Sequence, residues 1–322
     1  MTPQRSQKLV AARAGWRMFL CFCAMLFFSA SVHATLFTLI TAENGVVEYN
    51  LKTNAVSGWY SEPGSSHRFH LAFKQGERDT TNPVLVATMT CTTNEHYRGK
   101  SALEICIAAR DEVLSKRAAY KAAIDCVGGH DAFAPPLKPA DWFHGFAMKI
   151  DAGYYQLPVE GEVLFEQWWQ GAPFHPPVAI VIVNPADARA RKWSDAGTNG
   201  NFALILRDDG HNADENFPGA AQYFDLGPVT TGEWLRWLVH VRPSPVESRG
   251  AIDITLNGEE KLKLEGIRVG YNPDNPQYKA HRPPDHIAAV NVALYRLNGQ
   301  NFQRFFFDEI KFADTREDAT VR

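Results

Sequence analysis

Cysteine is scarce in this chain: five in 322 residues, with Cys21 and Cys23 inside an N-terminal apolar run. No CxxC or HExxH spacing occurs, so no zinc motif is present in the sequence. No segment repeats at a fixed period, which excludes solenoid and propeller arrays. Basic residues do not dominate either, with Lys and Arg together numbering 33 against 36 Asp and Glu. A net charge of −3 argues against nucleic acid as the partner. The longest apolar run, MFLCFCAMLFFSASV, covers about 15 residues, short of the roughly 20 that cross a bilayer.

That run follows Arg5, Lys8, Arg13 and Arg17 with no acid among them, and it ends at Val32-His33-Ala34. A basic start, an apolar middle and small residues at the exit form a secretory signal. The expectation is cleavage after residue 34 and a single domain over 35–322 in the periplasm or outside the cell. No stable membrane insertion is expected after cleavage. Removing four cations takes the formal charge from −3 to −7, and a basic cleft on such a body still accommodates an acidic polysaccharide. Cys91, Cys106 and Cys126 remain, enough for one disulfide and one thiol in an oxidising compartment, with the pairing open.

What the chain does contain is short alternating segments. GFAMKIDA, VLFEQWWQ, VAIVIVN, NFALILRDD, EWLRWLVHVR, AIDITLNG, VNVALYRLNG and RFFFDEIKFAD run about six to ten residues each, separated by Gly, Pro, Asn and Asp. That punctuation predicts an all-β sandwich or barrel. Asn257-Gly258 between two alternating stretches predicts a tight hairpin. Residues 108–124 are the one plausible helix, so the expected helix content is one short helix at most.

Period-two alternation assigns faces. Phe202, Leu204 and Leu206 oppose Asn201, Ala203, Ile205 and Arg207. Leu235, Trp237, Val239 and Val241 form an inward row, and Val290, Val292 and Leu294 oppose Asn291, Ala293 and Tyr295. In FEQWWQG the same rule puts Phe165, Gln167 and Trp169 on one face and Glu166, Trp168 and Gln170 on the other. Glu162 and Glu166 then share a face about 13 Å apart, too far for the carboxylate pair of a glycoside hydrolase. A face mixing rings, amides and small residues suits a carbohydrate, although a solvated outer face has the same pattern.

The ordered series FHGFAMKI, EQWWQGAPFHPPVAIVI, TGEWLRWLVHVRPSPVESRGAIDITLNGEEKL and VNVALYRLNGQNFQRFFFDEIKFAD resembles the polysaccharide lyases of the heparin lyase and glucuronan lyase type. The resemblance covers about Trp142 to Thr315, and residues 35–140 match it poorly beyond membership of the same sandwich. It implies a two-sheet jelly-roll (concanavalin-like) sandwich and β-elimination on a uronic acid polymer. In the related alginate-lyase-like enzymes a Gln and a His stand two residues apart on one strand, and a Tyr stands on a late strand.

Carried onto this chain, the resemblance implies Gln167 as the carboxylate ligand, Tyr295 as acid and base, and Arg207 as a second carboxylate or leaving-group contact. An amide or guanidinium there stabilises the enolate-like charge of the transition state, and Tyr or His moves the protons. Trp169 stands where the family has its His, leaving Tyr295 to act alone or with His175 or His281. Tyrosine is a base at neutral pH only where nearby positive charge lowers its pKa, and Arg207 supplies that charge if its strand neighbours that of Tyr295. Trp169, His175, His281 and Asn291 are the expected substrate contacts. Loss of turnover, leaving a lectin-like carbohydrate-binding protein, is the alternative. No cofactor is expected. Asp208, Asp209, Asp214 and Glu215 are the one acidic cluster suited to calcium, and they lack EF-hand spacing.

Overall fold

The computed structural model describes residues 36–43, 46–47, 50–51, 55–62, 65–74, 87–107, 119–128, 135–157, 162–184, 186–187, 193, 197–209, 221–276, 278, 281–297 and 303–322. The expected signal over 1–34, with Asp214 and Glu215, lies outside the described residues. The strands come in chain order. First are β1 (Leu36–Ile40), β2 (Val46–Val47), β3 (Asn50–Leu51), β4 (Ala55–Glu62), β5 (Ser65–Lys74), β6 (Ala87–Thr92), β7 (Ala102–Ile107), β8 (Ala119–Gly128) and β9 (Trp142–Ile150). Then follow β10 (Glu162–Trp169), β11 (Val178–Val183), β12 (Asn201–Leu206), β13 (Gln222–Pro228), β14 (Trp234–Arg242), β15 (Gly250–Leu256), β16 (Glu259–Ile267), β17 (Ala289–Leu297) and β18 (Gln303–Ala313). Among the described residues one short helix, α1 (Arg316–Ala319), follows β18.

These strands build two antiparallel sheets. One has the order β16-β15-β14-β9-β18-β7-β6, with β1 added on β18. The other has the order β13-β12-β11-β10-β17-β8-β5-β4-β2, with β3 added on β4. Neighbours distant in sequence, such as β10 beside β17 and β9 beside β18, are what a jelly roll requires. Between the sheets lies a continuous aromatic and aliphatic core. Trp237 of the first sheet meets Phe165 and Phe202 of the second at 5.3 and 5.0 Å between ring centroids. Such pairs add about 0.5–1.5 kcal/mol each beyond the area they bury.

The faces expected for β12, β14 and β17 are the faces observed. Phe202, Leu204, Leu206, Leu235, Trp237, Val239, Val241, Val290, Val292 and Leu294 all lie in the inter-sheet core. Asn257 and Gly258 form the β15–β16 turn with φ of 54° and 87°, the left-handed pair that a two-residue hairpin needs.

Three expectations are corrected. Residues 119–124 belong to β8, not to a helix. Their Ala-rich composition favours helix in isolation, but β17 and β5 pair with them on both sides. Cys91, Cys106 and Cys126 are all thiols. Cys91 stands opposite Leu103 and Cys106 opposite Thr88, so the two are offset by three residues, about 10 Å along the ladder. Cys126 lies in the inter-sheet core, within 3.4 Å of His144 Nε2. That geometry prevents a Cys91–Cys106 bridge. The third correction concerns β10, which does not alternate regularly. A bulge between Leu164 and Glu166 turns two consecutive residues inward. Val163, Phe165 and Trp168 lie in the core, and Glu166 is fully buried against His144 of β9. Glu162 and Glu166 therefore lie on opposite faces, which removes them as a pair for a further reason.

The helix α1 is held close to the first sheet by a glycine. Thr315 caps it by accepting from the Asp318 N–H, and Ala319 packs with Phe143, Leu238 and Ala313. A Cβ on Gly145 would stand 1.8 Å from the Ala319 carbonyl oxygen. Gly145→Ala is expected to lower stability by about 1–3 kcal/mol, the usual cost of overpacking. Urea midpoints of the two proteins measure this, and an unchanged midpoint would mean that the helix does not dock there.

Candidate active site

The face of the second sheet that points away from the core is where the expected residues gather. Its floor is made of Ala123, Ala179, Ala203, Ala293, Leu164, Val181, Val183 and Ile205, with Trp193, Tyr223 and Tyr295 packed at the margins. Four of these residues are alanine, and Ala123 and Ala293 stand directly opposite each other. Tyr223 of β13 donates from its hydroxyl to Glu162 Oε2 of β10 at 2.9 Å. Three strand spacings separate β10 from β13, about 14 Å in a flat sheet. The contact requires the sheet to curl toward this face, so the floor is a trough.

Backbone register arranges the polar residues in rows across the trough. Gln167 pairs with Asn291, which pairs with Asp125. Leu164 pairs with Tyr295, and Tyr295 with Lys121. Between these rows Ala293 pairs with Ala123, which pairs with His70 of β5. Because β10 turns Phe165 and Glu166 inward, it sends no side chain up at the Ala293 row. The Ala293 row separates Gln167 from Tyr295 by a span of about 13 Å along β17, and its two alanines are fully buried.

Gln167 is 7% exposed, and its amide makes no hydrogen bond among the described residues. Asn291 donates to Asp125 Oδ1 at 3.1 Å, while its own buried Oδ1 accepts nothing. The Tyr295 hydroxyl likewise makes no hydrogen bond among the described residues. Burial, with the Glu162 carboxylate adding to it, pushes the Tyr295 phenol above its usual range. Polar groups this buried are normally satisfied. Gln167, Asn291 and Tyr295 share one face of the sheet.

The other candidates divide. Trp169 is on the trough face, half-buried, and its indole N–H donates to the Phe174 carbonyl at 2.8 Å, which fixes the following turn. His175 is exposed in that turn, and His281 is exposed in the loop before β17. Arg207 is buried at the end of β12, donating to the Pro176 carbonyl at 3.0 Å and lying near Tyr271. Strands β11 and β10 separate its strand from that of Tyr295, and Arg207 stands toward the opposite end of the trough. The expected lowering of the tyrosine pKa by Arg207 is therefore corrected: the phenol holds its proton more tightly than usual. Asp308, in the matched stretch near the C-terminus, accepts from the N–H groups of Tyr97, Arg98 and Glu309 and is structural.

Among the described residues no three His, Cys, Asp or Glu side chains gather as metal ligands. Asp209 instead accepts from the Tyr278 hydroxyl and the Asn272 N–H. A cleft of about 300 Å³ on the outer face of the other sheet is lined by Asp141, His240, Arg242, Asp253 and Arg316. Its cations are already answered by Asp141 and Asp253, so it is a surface ion-pair network. Among the described residues no helix is long and apolar enough to cross a membrane.

Comparison with known proteins bears on both fold and family. Comparison with curated proteins gives no match. Among solved structures the chain is similar to an endo-β-1,4-glucuronan lyase from the fungus Trichoderma reesei. They share 15% identity at a TM-score of 0.52, over 77% of this chain and 97% of that one. It is also similar to the cellulose induced protein Cip1 (12% identity, TM-score 0.39, 76% and 91% covered). A family 7 alginate lyase follows at 9% identity and a TM-score of 0.41, with 67% and 81% covered. At such identities the glucuronan lyase likeness establishes the jelly-roll fold alone, and the two lower scores carry no argument. The polysaccharide lyase family model matches residues 73–311, a stretch holding every strand of the trough floor, and by that match the chain belongs to the polysaccharide lyase family.

Proposed function

We propose that the trough binds a uronate-containing polysaccharide and cleaves it by β-elimination. The observation that carries this reading is the pair of groups without a hydrogen bond among the described residues, the Gln167 amide and the Tyr295 hydroxyl, on one face of the sheet either side of the Ala293–Ala123 row. The Gln167 N–H groups hold the C5 carboxylate and stabilise the charge that moves onto it as the C5 proton leaves. The electron pair from C5–H enters the enolate-like intermediate and then forms the C4–C5 double bond. The C4–O4 bond breaks, and O4 takes a proton from the Tyr295 hydroxyl.

A phenol pushed above its usual range is a proton donor at neutral pH, not a base. The reading therefore separates the two proton transfers. Tyr295 is the acid, and a separate group takes the C5 proton. Trp169 offers a ring to a neighbouring sugar, and Asn291 extends the amide row. Arg207, His175 and His281 remain as contacts at the end of the trough near the β10–β11 turn.

The test is to incubate the chain with glucuronan, alginate and heparin-type polymers while following absorbance of the unsaturated uronate product. Growth on one polymer is expected, whereas binding without growth on all of them would leave a lectin-like protein. Tyr295→Phe is expected to abolish turnover with polymer binding kept. Gln167→Ala is expected to cost about 2–4 kcal/mol in kcat/KM, the value of one transition-state donor. A Tyr295→Phe variant turning over at the wild-type rate would remove the central assignment.

The sign of the tyrosine shift has its own readout. A raised pKa keeps the phenol protonated across neutral and moderately alkaline pH, so Tyr295 is expected to ionise only above the ordinary value of about 10. Ultraviolet titration of tyrosinate in the wild type minus Tyr295→Phe measures it. A midpoint below 10 would return Tyr295 to the role of base.

Export belongs to the same proposal, since a polymer substrate lies outside the cytoplasm. The exported protein is expected to begin at Thr35 or an immediate neighbour, as read by N-terminal sequencing. An intact Met1 in the membrane fraction would replace cleavage with a retained anchor.

A further inference from the structure

Glu166 is the least expected side chain in the core. It is fully buried between the sheets, and one of its oxygens, Oε1, meets His144 Nδ1 at 3.2 Å. His144 reaches from β9 of the opposite sheet, is itself fully buried, and contacts Cys126 Sγ through Nε2 at 3.4 Å. The rings of Phe146 and Phe312 flank it at 5.1 and 6.5 Å. The second oxygen, Oε2, has no well-formed hydrogen bond. Burial raises the carboxyl pKa and His144 pulls against it. Without His144 nothing else from the opposite sheet would compensate a carboxylate here, and an uncompensated buried carboxylate is strongly disfavoured.

An alternative geometry is open to β10. Strict alternation from Val163 would keep Phe165 inside, turn Gln167 and Trp169 inside, and put Glu166 and Trp168 on the trough face. That arrangement solvates Glu166. It also removes the amide from the trough and replaces it with a negative charge, which repels a uronate. The bulge prevents it by placing both Phe165 and Glu166 inside, and His144 is the group that makes an inward Glu166 tolerable.

We propose that His144 is a positioning residue: by holding Glu166 inside the core it keeps β10 bulged, and so turns Gln167 and Trp169 toward the substrate. The functional part of this rests on the lyase reading of the trough, while the geometric part does not. A distinctive asymmetry follows. Glu166 drives the strand out of register only while it is a carboxylate without its partner. H144L is therefore damaging, whereas E166L is not, because leucine stays inside unaided. The double variant E166L/H144L is restored for the same reason.

Two readouts test this. In turnover, H144L is expected to lose about 100-fold or more in kcat, the scale of a lost transition-state donor. E166L and the double variant are expected to stay near wild type. The second readout is geometric: W169C in a C91S/C106S background, probed with a soluble thiol reagent. The W169C thiol is expected to react in that background and with E166L added, and to fall to the rate of the parent lacking W169C when H144L is added. Equal damage from H144L and E166L would show an ordinary buried pair and overturn the proposal. So would unchanged labelling in H144L. If H144L does not fold, E166L and the double variant must both fold, label and turn over, and failure of either overturns the proposal. If the wild type cleaves no polymer, labelling alone decides, so the lyase reading can fail without taking this inference with it.

Discussion

Two sheets that bury their aromatic faces against each other leave only alternate residues of each strand for anything else. Every strand of the trough is subject to that constraint, because its inward residues belong to one continuous core built around Trp237, Phe165 and Phe202. Polar chemistry is confined to the other half of the residues, and it survives near the middle of the sheet only on strands whose core half is apolar enough. β17 is the clearest case: Val290, Val292 and Leu294 anchor it, which frees Asn291, Ala293 and Tyr295 to face outward. The site is a by-product of how completely the opposite face is occupied.

Legibility from sequence follows the same constraint. Where a strand alternates without interruption, as in β12, β14 and β17, the faces can be read directly from the residue order. The Asn257-Gly258 turn is equally plain, since its backbone demands those residue types. β10 defeats the method because a bulge is a local count of residues against a neighbour, and a single strand carries no record of its neighbour's count. β8 defeats it differently. Its Ala and Lys content resembles a helix, and only pairing on both sides makes it a central strand. The cysteines needed register to be judged at all.

The candidate site was partly legible for a related reason. Gln167, Asn291 and Tyr295 lie within strands that the family resemblance covers, and the fold brings them onto one face. Arg207 shares that face by alternation, but its guanidinium turns to the Pro176 carbonyl, a contact that no pattern of residues announces. The direction of the Tyr295 shift was beyond sequence altogether, because it depends on burial and on Glu162 rather than on a charge named in advance.

The Tyr223–Glu162 hydrogen bond has a consequence for the cost of binding. It ties the two sides of the sheet over β11 and β12, so curvature is built in before any ligand arrives. A flat sheet closing around a polymer would spend part of the contact energy on bending and on ordering the side chains that meet the chain. Here that expenditure is made during folding. Under the proposed function, a polymer lying in the trough meets a surface already shaped to it, and more of each sugar contact remains available for the chemistry.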